Sequence, residues 1–279
     1  MSEYQYYEFL AIDRPLSDAD MRWVRGLSTR AEITPTNFVN TYHWGDFKGD
    51  PQKMMERCFD AFVYVSNFGY SRFMLKLPLD AIDIGCAKPY CCGLGARLKK
   101  QKTCVLVEFA LEGDPGDWEF DDDGTGRMSS LAPLRGDLLN GDYRSLYLAW
   151  LLNIQYEEFD DDDVEPPAPP GLRKLTAPLK ALADFLHIEE SLIRVAAAQS
   201  GPAINQRTTE RALQMWIRGL PIHEKDSALA RILSGGASTV RLELLNRFRK
   251  AKTVRSCPRK GRAPRTAVQL HKKRVQESC

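Results

Sequence analysis

Long apolar runs are missing from this chain of 279 residues. Its most apolar stretch, LYLAWLL at 146–152, is far shorter than the roughly 20 residues a helix needs to cross a bilayer, so it reads as a buried core helix. The first residues also lack a basic start followed by an apolar run, and Glu3, Glu8 and Asp13 lie where a leader would be apolar. A cytoplasmic protein with no membrane partner is the default expectation. Histidine is scarce: there are four, and His43, His187 and His223 lie far apart without motif context. Among the seven cysteines no CxxC pair occurs, and Cys86, Cys91 and Cys92 have no histidine nearby, which argues against structural zinc. With no even, regular cysteine framework, reduced thiols are expected. Neither GxGxxG nor GxxxxGK[ST] is present, and GCAKPYCCGLG at 85–95 has the wrong spacing for a phosphate loop. No metal and no cofactor is therefore expected. A catalytic pair that meets only in the fold stays open, because such partners need not be neighbours in sequence.

What is present begins with a change of hydrophobic period. Tyr4 to Ile12 is bulky and aromatic throughout, as in a strand buried on both faces. Ser17 then suits an N-cap, Asp18 and Asp20 favour the helix start, and Met21, Val24 and Leu27 share one helical face. The stretch from Ala31 to Trp44 is rich in strand formers and is interrupted near Pro35 and Asn37, giving two strands, or one strand with a bulge. Pro51 opens a second helix, read as running to Val65, and Arg72 to Leu77 closes the unit as a strand. The order βαββαβ over residues 4–78 predicts an α+β protein with an N-terminal ferredoxin-like sheet domain followed by a helical region. Thr103 to Ala110 predicts a further strand of the same sheet.

Beyond residue 127 the pattern is helical. It predicts helices at 131–139 and 143–156 packing on or near a sheet domain spanning 1–126, and a helical bundle over 171–249. Two segments depart from the average. Residues 157–170 (EEFDDDDVEPPAPP) hold seven carboxylates and four prolines, the composition of an extended linker. Residues 250–279 hold ten Lys or Arg against Glu277 alone, a charge of +9 that leaves −7 for residues 1–249, and read as a disordered basic tail. Neither Asp160–Asp163 nor the cluster from Glu112 to Asp123 has calcium-loop spacing, so both read as solvated segments.

Three places are candidates for binding. WGDFKGD at 44–50 places Trp44, Phe47 and Lys48 in a glycine-containing loop, where docking groups concentrate; alternatively Trp44 covers the sheet and Phe47 staples the helix start. Residues 182–193 resemble a helix-turn-helix, with Ala183, a turn at His187 and Ile193, although Glu189 and Glu190 at the start of the second helix would repel phosphates. The tail residues Arg255, Arg259, Lys260, Arg262, Arg265, Lys272, Lys273 and Arg274 form a candidate polyanion site of electrostatic, sequence-independent character.

The segments EYQYYEF, AIDRPLS, RAEITPTNFVN, YHWGDFKGDP and FDDDDVEPPAPPGL together resemble a group of uncharacterised bacterial proteins, from about residue 3 to 190. The resemblance implies a bacterial cytoplasmic setting and carries no catalytic or binding residues. The expected function is a non-catalytic protein-interaction or regulatory module with a protein partner. Second comes a nucleic-acid-associated protein using the tail and the helix pair, and third an enzyme whose site is assembled in the fold.

Overall fold

The computed structural model describes residues 4–45, 47–112, 123–160, 163–202, 206–252 and 267–278. The protein is mixed α+β, built on one antiparallel sheet of seven strands. The chain enters as β1 (Gln5–Leu10) and α1 (Asp18–Leu27), then β2 (Glu32–Ile33), β3 (Asn37–Tyr42) and α2 (Pro51–Arg57). It continues as β4 (Ala61–Ser66), β5 (Tyr70–Pro78), a short α3 (Ile84–Ala87), β6 (Gly95–Lys100) and β7 (Cys104–Glu112). Helices follow: α4 (Arg127–Leu131), α5 (Leu134–Leu139), α6 (Arg144–Gln155), α7 (Ala177–Phe185), α8 (Glu190–Gln199), α9 (Gln206–Arg218), α10 (Ile222–Arg231), α11 (Ala237–Lys252) and α12 (Ala267–Ser278).

The strands lie in the order β2-β3-β1-β4-β5-β7-β6. β1 pairs antiparallel with both β3 and β4, so these two run parallel to each other with β1 between them, a split β-α-β unit joined by α2. Local chemistry sets the helix starts: the Ser17 hydroxyl accepts from the amide of Asp20, and the Asp50 carboxylate accepts from the amides of Gln52 and Lys53 ahead of Pro51.

One expected helix is corrected. The run read as helical to Val65 turns at Cys58, and residues 61–66 form β4, a central strand. AFVYVS is apolar at nearly every position because both faces are buried, so periodicity does not separate helix from strand there. Two anchors decide it. Asp60 accepts hydrogen bonds from the amides of Ile12 and Asp13 at 2.7 and 2.9 Å, and the β-branched Val63 and Val65 favour the extended chain.

The two sheet faces are covered unequally. On one, Val63, Phe73, Leu75, Val107 and Phe109 pack beneath α4, α5 and α6. α6 is buried over ten consecutive residues, Ser145 to Ile154, and is the core helix that LYLAWLL predicts. On the other face Phe9, Phe38, Phe62 and Met74 pack against Val24 of α1 and Met54 and Met55 of α2. This second layer stops short of the β5-β7-β6 end.

The expected division into separated parts meets a continuous core. One cluster of buried side chains joins Ala61 and Leu111 of the sheet to Leu152 of α6, Leu182 of α7, Leu192 of α8 and Leu270 of α12. The acidic, proline-rich stretch lies against it: Tyr90 donates to the carbonyl of Pro167 at 2.7 Å, Ser200 to that of Pro169 at 2.6 Å, and Tyr147 to the Glu165 carboxylate. Proline carbonyls accept hydrogen bonds as well as any others, so its composition does not keep it extended and free. The end of the chain also differs from a disordered tail: residues 250–252 end α11, and 267–278 form α12, whose Leu270 is fully buried.

Candidate functional site

The residues predicted for docking separate on folding. Trp44 is 75% exposed and Lys48 is exposed, whereas Phe47 is 9% exposed and meets the rings of Tyr7, Phe9, Phe38 and Tyr42 with centroids 5.1 to 6.4 Å apart. Phe47 is therefore a core residue, which corrects its assignment as a docking group. Of the predicted polyanion site, Arg255, Arg259, Lys260, Arg262 and Arg265 lie outside the described residues. Lys272 and Lys273 are exposed on α12. Arg274 turns inward, donating to the carbonyls of Ile154 and Gln155 at 3.4 and 3.0 Å and lying 3.8 Å from Glu189. It stabilises the ends of α6 and α8 and is removed from any external anion site.

The helix pair has the expected turn. Ala183 is buried, Ile193 is half-buried, and His187 takes a left-handed φ of +49° at the position where glycine is frequent. However, Leu192, Val195 and Ala196 of α8 face the core, α12 packs across that helix, and Arg274 sits at the glutamates of its N-terminus. A groove-reading helix has to leave that N-terminus open to bases.

Two of the thiols are buried and poor nucleophiles. Burial pushes the Cys58 thiol up to about 11 and that of Cys91 up to about 12, so little thiolate forms at neutral pH. Cys86 is disulfide-bonded, which corrects the expectation of a reduced thiol there. Among the described residues no group of three His, Cys, Asp or Glu side chains is placed to hold a metal ion, and no helix is long and apolar enough to cross a membrane.

A cluster of charges at one end of the sheet has a structural role. Arg135 of α5, nearly buried, donates to both carboxylate oxygens of Asp13 at 2.9 and 2.6 Å and to the carbonyl of Lys76 at 2.8 Å. Lys76 in turn lies 3.2 Å from Asp60 and donates to the carbonyl of Met55. Each charge is opposed and hydrogen-bonded, the condition for tolerating ions in a core. The network ties β1, β4, β5, α2 and α5 together.

The open site is a groove of about 420 Å³ where the α1–α2 layer ends. Its position follows from register. Tyr7, Tyr64, Arg72, Ala110 and Gly95 form one cross-strand row, and Phe9, Phe62, Met74, Glu108 and Arg97 form the next. Large side chains on β1, β4 and β5 therefore give way to the methyl group of Ala110 on β7, which leaves a hollow. Pro51 of α2 and Phe68 and Tyr70 of the β4–β5 turn wall it, and Arg97, Lys99 and Glu112 form the outer rim.

The groove is polar in a directed way. Glu108, with its side chain 6% exposed, accepts from Nε of Arg72 at 2.9 Å. The terminal amino groups of Arg72 make no hydrogen bond to the described residues. Arg97 approaches Glu112 only to 3.9 Å with both side chains half exposed, and Lys99 donates to the neutral amide of Gln52 at 3.2 Å. On the inner side Tyr7 and Tyr64 both donate to Oε1 of Gln5, at 2.6 and 3.3 Å, fixing the phenols of the floor. Behind the groove, Gly95 lets β6 approach α6: at φ +81°, an added Cβ would stand 2.1 Å from the carbonyl oxygen of Ala149.

No family model matches this chain, and no curated protein and no solved structure matches it either. The geometry of the site carries the functional reading.

Proposed function

We propose that the protein is a non-catalytic regulatory module whose recognition site is the groove on the β5-β7-β6 end of the sheet. We also infer a ferredoxin-like unit within the fold, formed by β1, α1, β2, β3, α2 and β4 and extended by β5, β7 and β6. Support for this comes from the split β-α-β unit and from α1 and α2 sharing one face. The groove is the observation that carries the functional reading. Its volume falls in the range of roughly 300–1,000 Å³ typical of small-molecule sites, and aromatic rings line it together with cations that the fold leaves underused. The carboxylate at its floor, Glu108, is engaged by Arg72 and so is poorly placed to move a proton. A nucleic-acid role for the helix pair has less support, because Arg274 and α12 occupy the surface that such a role requires.

The test is thermal unfolding across a panel of small organic anions and neutral metabolites, using the full chain and Ala110→Trp. The indole would project into the hollow from its floor. A ligand at 100 times its Kd stabilises by about 2.7 kcal/mol, a rise in Tm of roughly 5 °C or more for a chain of this size. At least one compound is expected to raise the Tm of the natural protein and not that of Ala110→Trp. Equal shifts for both proteins, or none with either, would remove the groove as the site.

A further inference from the structure

We infer that the groove's ligand is a nucleoside phosphate, with the phosphate between Arg72, Arg97 and Lys99 and the planar base against Tyr64, Phe68 and Tyr70; this rests on the groove being the recognition site. Strand geometry sets the spacing. Arg97 and Lys99 are two residues apart on one face of β6, hence about 7 Å apart at the backbone. Arg72 stands two strands away in the row of Gly95, one row from Arg97 and so about 12 Å from it at the backbone, with Ala110 and Glu108 on the strand between. That gap admits a tetrahedral anion within reach of three long cationic side chains. Nothing among the described residues saturates these donors: Arg72 uses Nε alone, Lys99 has an amide partner, and the exposed Arg97–Glu112 pair at 3.9 Å is weak and easily displaced.

The charge requirement selects the anion. A single carboxylate brings one negative charge and two oxygens to these cations. A phosphate monoester brings about −1.5 to −2 at pH 7 and three acceptor oxygens. The opposite wall selects the ring: Tyr70 is 44% exposed, its ring packs edge-on to Phe68 with centroids 5.8 Å apart, and both line the groove. Base-on-aromatic stacking is the matching contact. A polynucleotide is disfavoured by long-range charge. Residues 1–205 hold 21 basic and 32 acidic side chains, a net −11, which repels an extended polyanion while a small one is held inside the cationic groove. The 18 basic and 5 acidic side chains of residues 206–279 supply the compensating +13.

Titration calorimetry on the full chain tests this with adenosine 5′-monophosphate as probe, and adenosine and inorganic phosphate as separate arms. The monophosphate is expected to bind at least about tenfold more tightly than either part, since each part forgoes one set of contacts. Arg97→Gln, at a rim position whose side chain is half exposed, is expected to leave folding intact and to weaken binding about tenfold, the effect of one charge-assisted hydrogen bond. Glu112→Gln removes the competing carboxylate and is expected to tighten binding. No binding of the monophosphate, unchanged affinity in Arg97→Gln, or inorganic phosphate binding as well as the monophosphate would overturn the assignment. If a non-phosphorylated compound from the thermal panel still binds and Ala110→Trp blocks it, the ligand class alone fails. If nothing binds, the groove reading fails with it.

Discussion

At the scale of single residues, the loop at 44–50 shows how neighbours in sequence take opposite parts. Gly49 lets the loop fold over Phe47, since a Cβ there would stand 2.4 Å from the ring. Phe47→Ala is expected to cost about 3–5 kcal/mol by urea unfolding, as for other buried aromatics, and Trp44→Ala no more than about 0.5 kcal/mol. Arg135→Met is expected to cost about 1–3 kcal/mol, chiefly because it leaves the Lys76 carbonyl without its partner, while the Asp13 carboxylate, a third exposed, regains water. Asp20 gives a signature in pH. Its carboxyl is held below its ordinary value by the Ser17 hydroxyl first and by the Arg57 guanidinium after it, against the opposing effect of burial. Between the folded and unfolded pKa values the unfolded chain binds more protons. The contribution is therefore fully present above the unfolded value, near 3.9, and is lost as pH falls through the lower, folded one. Unfolding of Asp20→Asn, followed in urea through that acid range, is expected to show a shallower fall of stability than the natural protein; an identical slope would remove Asp20 from the account.

At the scale of elements, the helices were legible where side chains announce them. Ser17 caps α1 as its position suggests, Pro51 opens α2, and the α7–α8 turn falls at His187. β4 was not legible, because burial on both faces erases the alternation that marks a strand, and the bonds to Asp60 that fix its start come from residues nearly fifty positions away. β6 was hidden for the opposite reason. GARLKK has little apolar character, and its pairing with β7 depends on the close approach of Gly95 to α6. Asn153 of α6 reinforces that approach, accepting from the amide of Leu94 at 2.7 Å and donating to the carbonyl of Cys92 at 3.1 Å. The groove was not legible because its side chains come from five strands and two cross-strand rows; no local motif holds Tyr7, Tyr64, Arg72, Ala110 and Arg97 together. α12 was masked by its charge. Its lysines speak of solvent, while the fully buried Leu270 decides where the helix lies. A chain ending at Lys252 is expected to lose about 1.5–3 kcal/mol, the burial of one leucine side chain, in urea unfolding.

At the scale of the whole molecule, one core extends through the sheet and the helices on both sides of the acidic, proline-rich stretch. Limited proteolysis is expected to spare residues 163–170, whose backbone accepts from Tyr90 and Ser200. Early cutting there, leaving a stable N-terminal fragment, would restore two independent parts. The same architecture produces the site, since the helices cover one sheet face across β4, β5, β7 and β6, while the other layer covers β3, β1 and β4 and reaches only Met74 of β5 and Cys104 and Leu106 of β7. What is left open is a concave corner floored by phenols and edged by cations. The most direct test of that account is amide chemical-shift mapping on the full chain during titration with adenosine 5′-monophosphate. The account predicts the largest shifts at residues 64, 70–72, 95–99 and 108–112, absent in Ala110→Trp. Shifts gathered instead on α12 or on α7 and α8, with the groove unmoved, would contradict it.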